Sequence, residues 1–351
     1  MSSKVEVNGN SYTEFKQIDI SDSLDDFART ARLIITEPAN NSSIIKINDK
    51  VSIYLDDIKV ITGYVEKISD SESDNSHDIN IELRSLTADL IDSCCPDDLK
   101  FLEGVATYKD LVQKAIDALG LDITITDEVN ISFSDEIKSA ELGQTCFDFL
   151  NEYARKAQVF LNSDGDGNVL IRRPGGNLTT WLVEGNNILE SRIELDYSQR
   201  FNSYTVYSNS NVTAEGNTDN LNVSGNAVDS IINSTRIFEK RAEKPMTADE
   251  CANAAIEEAN IRRIRGFKYS CKVSGFSGND ELWEIGKLVN IRDDKKGVNG
   301  AYVIKDINYT VTSGGDYTSM TMTLPDAYKL TAELPGSDAA AIDQATVYNE
   351  G

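Results

Sequence analysis

Lys50-Val-Ser-Ile-Tyr-Leu55, Val60-Ile-Thr-Gly-Tyr-Val-Glu-Lys-Ile68 and Asp78-Ile-Asn-Ile-Glu-Leu-Arg84 alternate apolar with polar residues, the period-two pattern of half-buried strands. Ala31-Arg-Leu-Ile-Ile-Thr36 reads the same way, so residues from about Val5 to Leu90 are expected to form a small β-domain. The stretch has a counterpart near the other end of the chain. Ile47, Val51, Ile53, Val65, Ile68, Ile81 and Leu83 are spaced by 4, 2, 12, 3, 13 and 2 residues, and Ile285, Val289, Ile291, Ile304, Ile307, Met320 and Met322 by 4, 2, 13, 3, 13 and 2. One inserted residue reconciles the two series, and polar loops at 70–78 and 312–316 fall in corresponding places. Such spacing predicts a duplicated β-domain, and coincidence between alternating strands is the competing explanation. A chain with two similar barrels, closed as a trimer, presents six similar barrels around a ring and can meet a six-fold partner. That geometry suits an adaptor rather than an enzyme.

Outward from this repeat the grammar changes. Cys94-Cys95-Pro96-Asp97-Asp98 is a turn-rich break, after which Thr107 can cap a helix over Tyr108–Leu119 that Gly120 ends, with Leu111, Ala115, Ile116 and Leu119 on one face. Cys146 to Ala157 reads as a second helix with Phe147, Leu150, Tyr153 and Ala154 on one stripe. Val159-Phe160-Leu161 and Val169-Leu170-Ile171 flank Asp164-Gly-Asp166-Gly-Asn168, expected to be a type I′ hairpin tip. Strands return at Ser191–Leu195 and Ser203–Tyr207, followed by a polar stretch read as a long loop at 209–234. Thr247-x-x-Glu250 is a capping box opening an Ala-rich helix over 247–265, stopped by Gly266. Tyr269–Val273, Lys287–Arg292, Ala301–Val311 and Tyr317–Leu324 are further strands.

A chain of 351 residues accommodates two or three domains at roughly 150 residues each. The expected fold is α+β and β-rich: a first β-barrel over 1–92, an α+β middle domain over 93–175, a similar second β-barrel over 176–330 carrying loop 209–234 and helix 247–265, and an acidic tail over 331–351.

The residue inventory excludes several chemistries. Lys plus Arg number 34 against 58 Asp plus Glu, a net charge of −24, which disfavours binding by phosphate neutralisation. The first twenty residues hold no apolar h-region or cleavage site, so export is not expected. No run approaches the roughly 18 apolar residues of a spanning helix, and a soluble chain is expected. Cys94, Cys95, Cys146, Cys251 and Cys271 are odd in number without framework spacing, and read as reduced thiols. The seven Asn-x-Ser/Thr matches, at Asn41, Asn130, Asn177, Asn211, Asn222, Asn233 and Asn308, are read as composition.

His77 is the only histidine, set in a polar stretch that reads as an exposed hairpin loop. A two-imidazole zinc site or a nucleophile–histidine relay would have nothing else to use, and no Cys-x-x-Cys, Gly-x-Ser-x-Gly or phosphate-binding loop is present. The Asp164 segment imitates the start of a calcium loop but has Val169 at position six and Gly175 at position twelve. Close carboxylate pairs are uninformative among 58 acidic residues. No catalytic, cofactor-binding or metal-ligating residue is assigned, and no cofactor is expected. Arg262, Arg263, Arg265 and Lys268 cluster where a helix dipole is negative, and are read as complementing that dipole or as contacting an acidic partner.

Asn260-Ile-Arg-Arg-Ile-Arg-Gly-Phe-Lys-Tyr-Ser-Cys-Lys-Val-Ser-Gly-Phe276, Leu282-Trp283, Gly286-Lys-Leu-Val289 and Leu324-Pro-Asp-Ala-Tyr328 occur in the order found in the baseplate hub proteins of Mu-like contractile-tailed phages. Asp164-Gly-Asp-Gly-Asn-Val-Leu-Ile171 and Tyr197-Ser-Gln-Arg-Phe-Asn-Ser-Tyr204 extend this resemblance over most of Phe147 to Tyr328. The resemblance implies a homotrimer whose paired barrels form a pseudo-hexameric ring, joining the hexameric tail tube to the trimeric central spike. It implies further neighbours in the tape measure protein and in wedge or sheath-initiating proteins. DNA would pass through without specific binding, and the protein would lie in the virion after assembly in the host cytoplasm. The family implies no catalytic residues. An acidic bore would repel DNA phosphates, whereas the bland reading of the charge is solubility. Rival readings are a hub of a non-phage contractile injection machine and a carbohydrate-binding or carbohydrate-active β-protein. The latter needs exposed aromatics, for which only Trp181 and Trp283 are available among tryptophans, and Trp283 reads as core.

Overall fold

The computed structural model describes residues 2–12, 15–36, 45–73, 76–100, 102–133, 139–157, 159–209, 223–233, 235–242 and 245–325. The chain begins with β1 (Ser3–Val7), β2 (Asn10–Tyr12), β3 (Gln17–Ser23), β4 (Thr30–Thr36), β5 (Lys50–Leu55), β6 (Ile58–Ser73) and β7 (Ser76–Ser85). There follow α1 (Ala88–Asp92), a 3-10 turn at Asp97–Lys100, α2 (Tyr108–Leu119), β8 (Ile125–Asp127), α3 (Cys146–Ala157), β9 (Phe160–Ser163) and β10 (Val169–Arg172). Next come β11 (Leu182–Val183), β12 (Ile188–Leu195), β13 (Ser203–Tyr207), β14 (Ser224–Val228), β15 (Ile237–Arg241) and α4 (Ala248–Arg265). The last strands are β16 (Phe267–Ser274), β17 (Ser277–Gly278), β18 (Glu281–Leu282), β19 (Leu288–Asp293), β20 (Val298–Thr312) and β21 (Gly315–Thr323). The β-rich α+β class expected from the sequence is the class observed.

Contacts divide the chain into two compact units. One comprises Met1–Glu190, Cys271–Val289 and Val303–Thr321; the other comprises Ser191–Ser270, Asn290–Tyr302 and Met322–Gly351.

In the first unit, antiparallel pairing runs β3–β4–β7–β6–β5–β1–β2. Alternation decides which face is buried: Val51, Ile53, Leu55, Val65, Ile81 and Leu83 point inward. The Asp56-Asp57 turn joins β5 to β6 with both residues left-handed, at φ +48° and +65°, as a type I′ connection requires. A separate cluster joins α2 and α3 with the sheet β8–β10–β9. Thr107 and Asp110 form a reciprocal capping box on α2, and Gly120 closes it in the left-handed conformation. Leu150, Tyr153 and Ala154 are buried as the stripe predicts, while Phe147 is half-buried and stacks on Phe27 at 5.3 Å.

The second unit holds a three-stranded sheet in the order β14–β13–β15, with β13 antiparallel to β14 and parallel to β15. α4 starts at the Thr247–Glu250 capping box and buries Cys251, Ala255 and Ala259, one small residue per turn. These cover Tyr204, Val206 and Ala227. Small residues let the helix come very close to the sheet. Arg262 lies over the rings of Phe238 (4.2 Å) and Phe201 (5.0 Å) and donates to the Gln199 carbonyl, so this member of the basic cluster is engaged within its own unit.

Several local expectations are corrected. The polar stretch at 71–78 is strand nearly to its tip: β6 runs to Ser73 and β7 starts at Ser76, so His77 sits in a strand opposite Glu72, its Nε2 2.6 Å from Asp70 Oδ1. A ladder needs only backbone groups, and a ribbon exposed on both faces tolerates polar side chains. The Asp164 tip is not a type I′ turn, since only Gly167 there is left-handed (φ +84°). Instead the Asp164 carboxylate accepts from the backbone N–H groups of Asp166 (2.9 Å) and Asn168 (2.8 Å), an Asx-type closure. Gly266 ends α4 with φ −78°, so conformational freedom is not its reason; a Cβ there would lie 2.5 Å from the Asp196 carbonyl oxygen. The stretch at 209–234 is not all loop, because β14 lies within it; residues 210–222 of that stretch fall outside the described residues. So do the 331–351 tail and Asn41, Asn211 and Asn222.

Candidate functional site

The sequence repeat is a structural repeat. In sheet order, β3–β4–β7–β6–β5–β1 and β12–β16–β21–β20–β19–β11 correspond one to one. Along the chain the members also occur in the same order, with β13–β15, α4, β17 and β18 inserted in the second series. The central meanders match in length: 6, 16 and 10 residues for β5, β6 and β7 against 6, 15 and 9 for β19, β20 and β21.

An irregularity is better evidence of equivalence than regular alternation, because nothing obliges two strands to break in the same place. Val65 donates its N–H to the Asp49 carbonyl (3.1 Å) and accepts from the Asn48 N–H (2.9 Å). Ile304 donates to the Lys287 carbonyl (3.0 Å) and accepts from the Gly286 N–H (2.8 Å). Asn48 and Gly286 are both left-handed, at φ +68° and +78°. Val65 and Ile304 are the same positions that the apolar spacing pairs. The single inserted residue is also explained. β5 and β6 are joined by two residues with a bulge after Ile53, whereas four residues, Asp294 to Gly297, join β19 to β20. All seven apolar positions of the second series are buried, as are five of the first; Ile68 is half-buried, and Ile47, which precedes β5 at the turn, is 49% exposed.

The two series meet at β3 and β20. Asp306 to Thr312 pair antiparallel with Ser23 to Gln17. On the outer face Ser23 Oγ donates to Asp306 Oδ1 (2.7 Å), Asn308 Nδ2 to Ser21 Oγ (2.8 Å) and Thr310 Oγ1 to Asp19 Oδ1 (2.9 Å). On the inner face Ile18, Ile20, Ile307 and Tyr309 are buried. Asp22 is the exception there, buried and 2.9 Å from Arg29 Nε. Burial pushes its carboxyl above the ordinary range, while the Arg29 and Arg172 guanidinium groups pull the other way. Arg172, itself buried, bonds to Asn162 (3.3 Å) and Glu284 (3.0 Å), and Asn162 Nδ2 donates to the Ser23 and Asp26 carbonyls. The Tyr309 hydroxyl donates to the Trp283 carbonyl, and burial raises its pKa. The three outer-face bonds fix the register of the junction, since a one-residue slip of β3 on β20 would break each of them.

A second buried acid lies in the other unit. Asp293 accepts from the Tyr269 (2.8 Å) and Ser191 (2.9 Å) hydroxyls, with Lys296 Nζ at 3.5 Å. Desolvation pushes its carboxyl up, but those hydroxyls and Lys296 together outweigh it and hold the net pKa below the ordinary 3.8. A depressed folded-state pKa stabilises the fold above 3.8, and that contribution disappears as the pH falls through the lower folded value. Asp293→Asn is therefore expected to flatten the acid limb of stability, read as urea midpoints from about pH 5 down to pH 2. A variant as acid-sensitive as the parent would contradict this role. The sequence reading missed Asp22 and Asp293, although each stands where in-facing alternation (Ile18, Ile20; Val289, Ile291) calls for an apolar residue.

The residues singled out by type do not converge. His77 bonds to Asp70, Asp166 pairs with Lys59 at 2.6 Å, Trp283 is buried and Trp181 is 54% exposed. Among the described residues no group of three or more His, Cys, Asp or Glu could hold a metal ion, and no helix is long and apolar enough to cross a membrane. None of the five cysteines is joined in a disulfide; burial pushes the Cys95 thiol up to about 12. The arrangement the described residues present is a pair of matched strand series.

Residues 3–85 match the family described as Mu phage baseplate assembly protein GpP-like, N-terminal, and residues 87–173 match the second domain of gp44-like baseplate hub proteins. The baseplate hub protein gp44 of Escherichia phage Mu is 24% identical over 303 residues, which cover 82% of this chain and 78% of that protein. The crystal structure of the 43 kDa tail protein of prophage MuSo2 from Shewanella oneidensis is similar with a TM-score of 0.78 at 23% identity, covering 93% of this chain and 99% of the other. A tail protein from Neisseria meningitidis MC58 is similar with a TM-score of 0.73 at 18% identity, covering 94% and 98%. At such identities the structural likeness concerns the fold, and it extends over nearly the whole of both chains.

Proposed function

We infer that this chain, a Mu-type baseplate hub protein by the two domains at residues 3–85 and 87–173, is the structural hub of a contractile phage tail. The observation that carries the finer reading is the twin strand series in one polypeptide, matched down to the left-handed residue at Asn48 and Gly286. Three copies arranged about an axis would offer six similar β-domains to a hexameric tail tube while keeping three-fold symmetry for a trimeric spike. In this reading the domains are a barrel over 1–92, a middle domain over 93–175, a second barrel over 176–330 and a tail over 331–351. The tape measure protein and then DNA pass through the ring, wedge or sheath-initiating proteins surround it, and it joins the virion after assembly in the host cytoplasm. It works by shape and contact, not turnover.

The net charge of −24 supports a bore that repels phosphate and so lets DNA slide. A bore lined mainly by Lys and Arg in an assembled tail tip would refute that part.

Size-exclusion chromatography with light scattering tests the whole reading. The expected particle has three chain masses, by itself or on addition of the tube and spike proteins. A strictly monomeric chain at high concentration that gains no mass with either partner would overturn it.

A further inference from the structure

We propose that the outer half of β6, Glu66 to Ser73, is the docking edge for β12 of a second copy of this chain, in an antiparallel register that sets Ile68 opposite Leu195 and Asp70 opposite Ile193. The proposal rests on the ring reading above and specifies its subunit contact.

Two equivalent strands, β20 and β6, differ in their neighbours. β20 is flanked on one side by β21, and on its other side by β19 along its first half and β3 along its second. β6 is flanked on one side by β7, and on its other side by β5 only as far as Tyr64. Among the described residues no strand pairs with the rest of that edge, where Glu66, Lys67, Ser69, Asp70, Ser71 and Glu72 are exposed. The occupant missing from β6 is the counterpart of β3, which is β12. Among the described residues β12 ends the strand order, with β16 as its one strand neighbour and an isolated bridge from Ile188 to Glu184, and every second residue from Glu190 to Glu194 is exposed. Among the described residues the outer half of β6 is thus an edge without the partner its equivalent has, and β12 is a strand without the neighbour its equivalent has. They are the two partners that β20 and β3 already show to be compatible. An unpaired edge of this length is a liability that assembly removes.

The register follows from bonds in hand. Gly275 N–H donates to the Asp316 carbonyl (2.9 Å) and Asp196 N–H to the Gly266 carbonyl (2.9 Å), which align β16 on β21 and β12 on β16. Carrying these along the strands gives Ile193 the place of Ile20 and Leu195 that of Asp22. The observed pairs Asp306–Ser23, Ile307–Asp22, Asn308–Ser21 and Tyr309–Ile20 then translate into Lys67–Asp196, Ile68–Leu195, Ser69–Glu194 and Asp70–Ile193 between copies. The chemistry agrees. Ile68, half-buried in one copy, gains two apolar neighbours, and Lys67 faces Asp196 with Glu194 on the diagonal. Leu24 N–H donates to the Lys305 carbonyl (2.9 Å), so alternate residues from Lys305 turn their backbone groups toward β3. Glu66, Ile68, Asp70 and Glu72 therefore turn theirs toward the incoming strand.

Cysteine pairing tests the register directly. Ser69 and Glu194 form a non-hydrogen-bonded pair in this ladder, with Cα atoms about 4.5 Å apart, inside the range a disulfide spans. The double variant Ser69→Cys/Glu194→Cys, mildly oxidised, is expected to give covalent dimers and trimers on a non-reducing gel. The offset variant Ser69→Cys/Arg192→Cys and the parent chain should give at least tenfold less. Ile68→Pro, which removes an N–H aimed at the neighbour but none aimed at β7, is expected to weaken assembly at least tenfold while circular dichroism stays unchanged. An assembled particle with no Ser69/Glu194 cross-link would overturn this contact and leave the ring standing. A monomer under all conditions would overturn both.

Discussion

Asp229→Ala is expected to cost about 3–5 kcal/mol of stability, the loss that follows when a buried ion pair is broken from one side. Arg200 is 2% exposed and directs both Nε (2.9 Å) and a terminal nitrogen (2.7 Å) at Asp229 Oδ2, with the Tyr197 ring 4.3 Å from the guanidinium carbon. Without the carboxylate the buried guanidinium loses the acceptor of both of these bonds. The double variant Arg200→Leu/Asp229→Leu should recover much of the loss, because it removes both desolvated charges together. Urea unfolding of the three proteins measures this, and a double variant no more stable than Asp229→Ala would show that the pair is not what matters.

Gly225→Val is the second large effect. A Cβ at Gly225 would lie 1.9 Å from the Ala252 backbone nitrogen and 2.3 Å from the Cys251 carbonyl carbon. Backbone cannot rotate away as a side chain can, so α4 must lift off β14 or the strand must bend. Either opens the contact of Cys251, Ala255 and Ala259 with the sheet. About 3 kcal/mol, the upper end of the usual overpacking penalty, is expected, together with faster proteolysis within 248–265. Wild-type stability and protease resistance would mean that the helix stands off the sheet.

These two positions also show where sequence reading stops. The strands of both meanders were legible because their inward residues are aliphatic, and α2 and α4 because Thr107 and Thr247 begin capping boxes. β14 was not legible: its two inward residues are Gly225 and Ala227, kept small by the nearby helix, so a strand under close cover resembles a polar loop. β3 lost its signal at Asp22, where a charge occupies an inward position and is compensated by Arg29, a partner only the fold supplies. The repeat itself could be read from spacing, but not the β3–β20 junction. That contact joins residues more than 280 positions apart through backbone bonds that any side chain would permit.

The insertion of β13–β15 and α4 between β12 and β16 leaves the twin series alike in framework but unequal in ornament. Around the proposed ring, plain and decorated stations would alternate. A guest with six identical feet can ignore the difference, whereas one with three can use it as a keyway that fixes its angle of rotation.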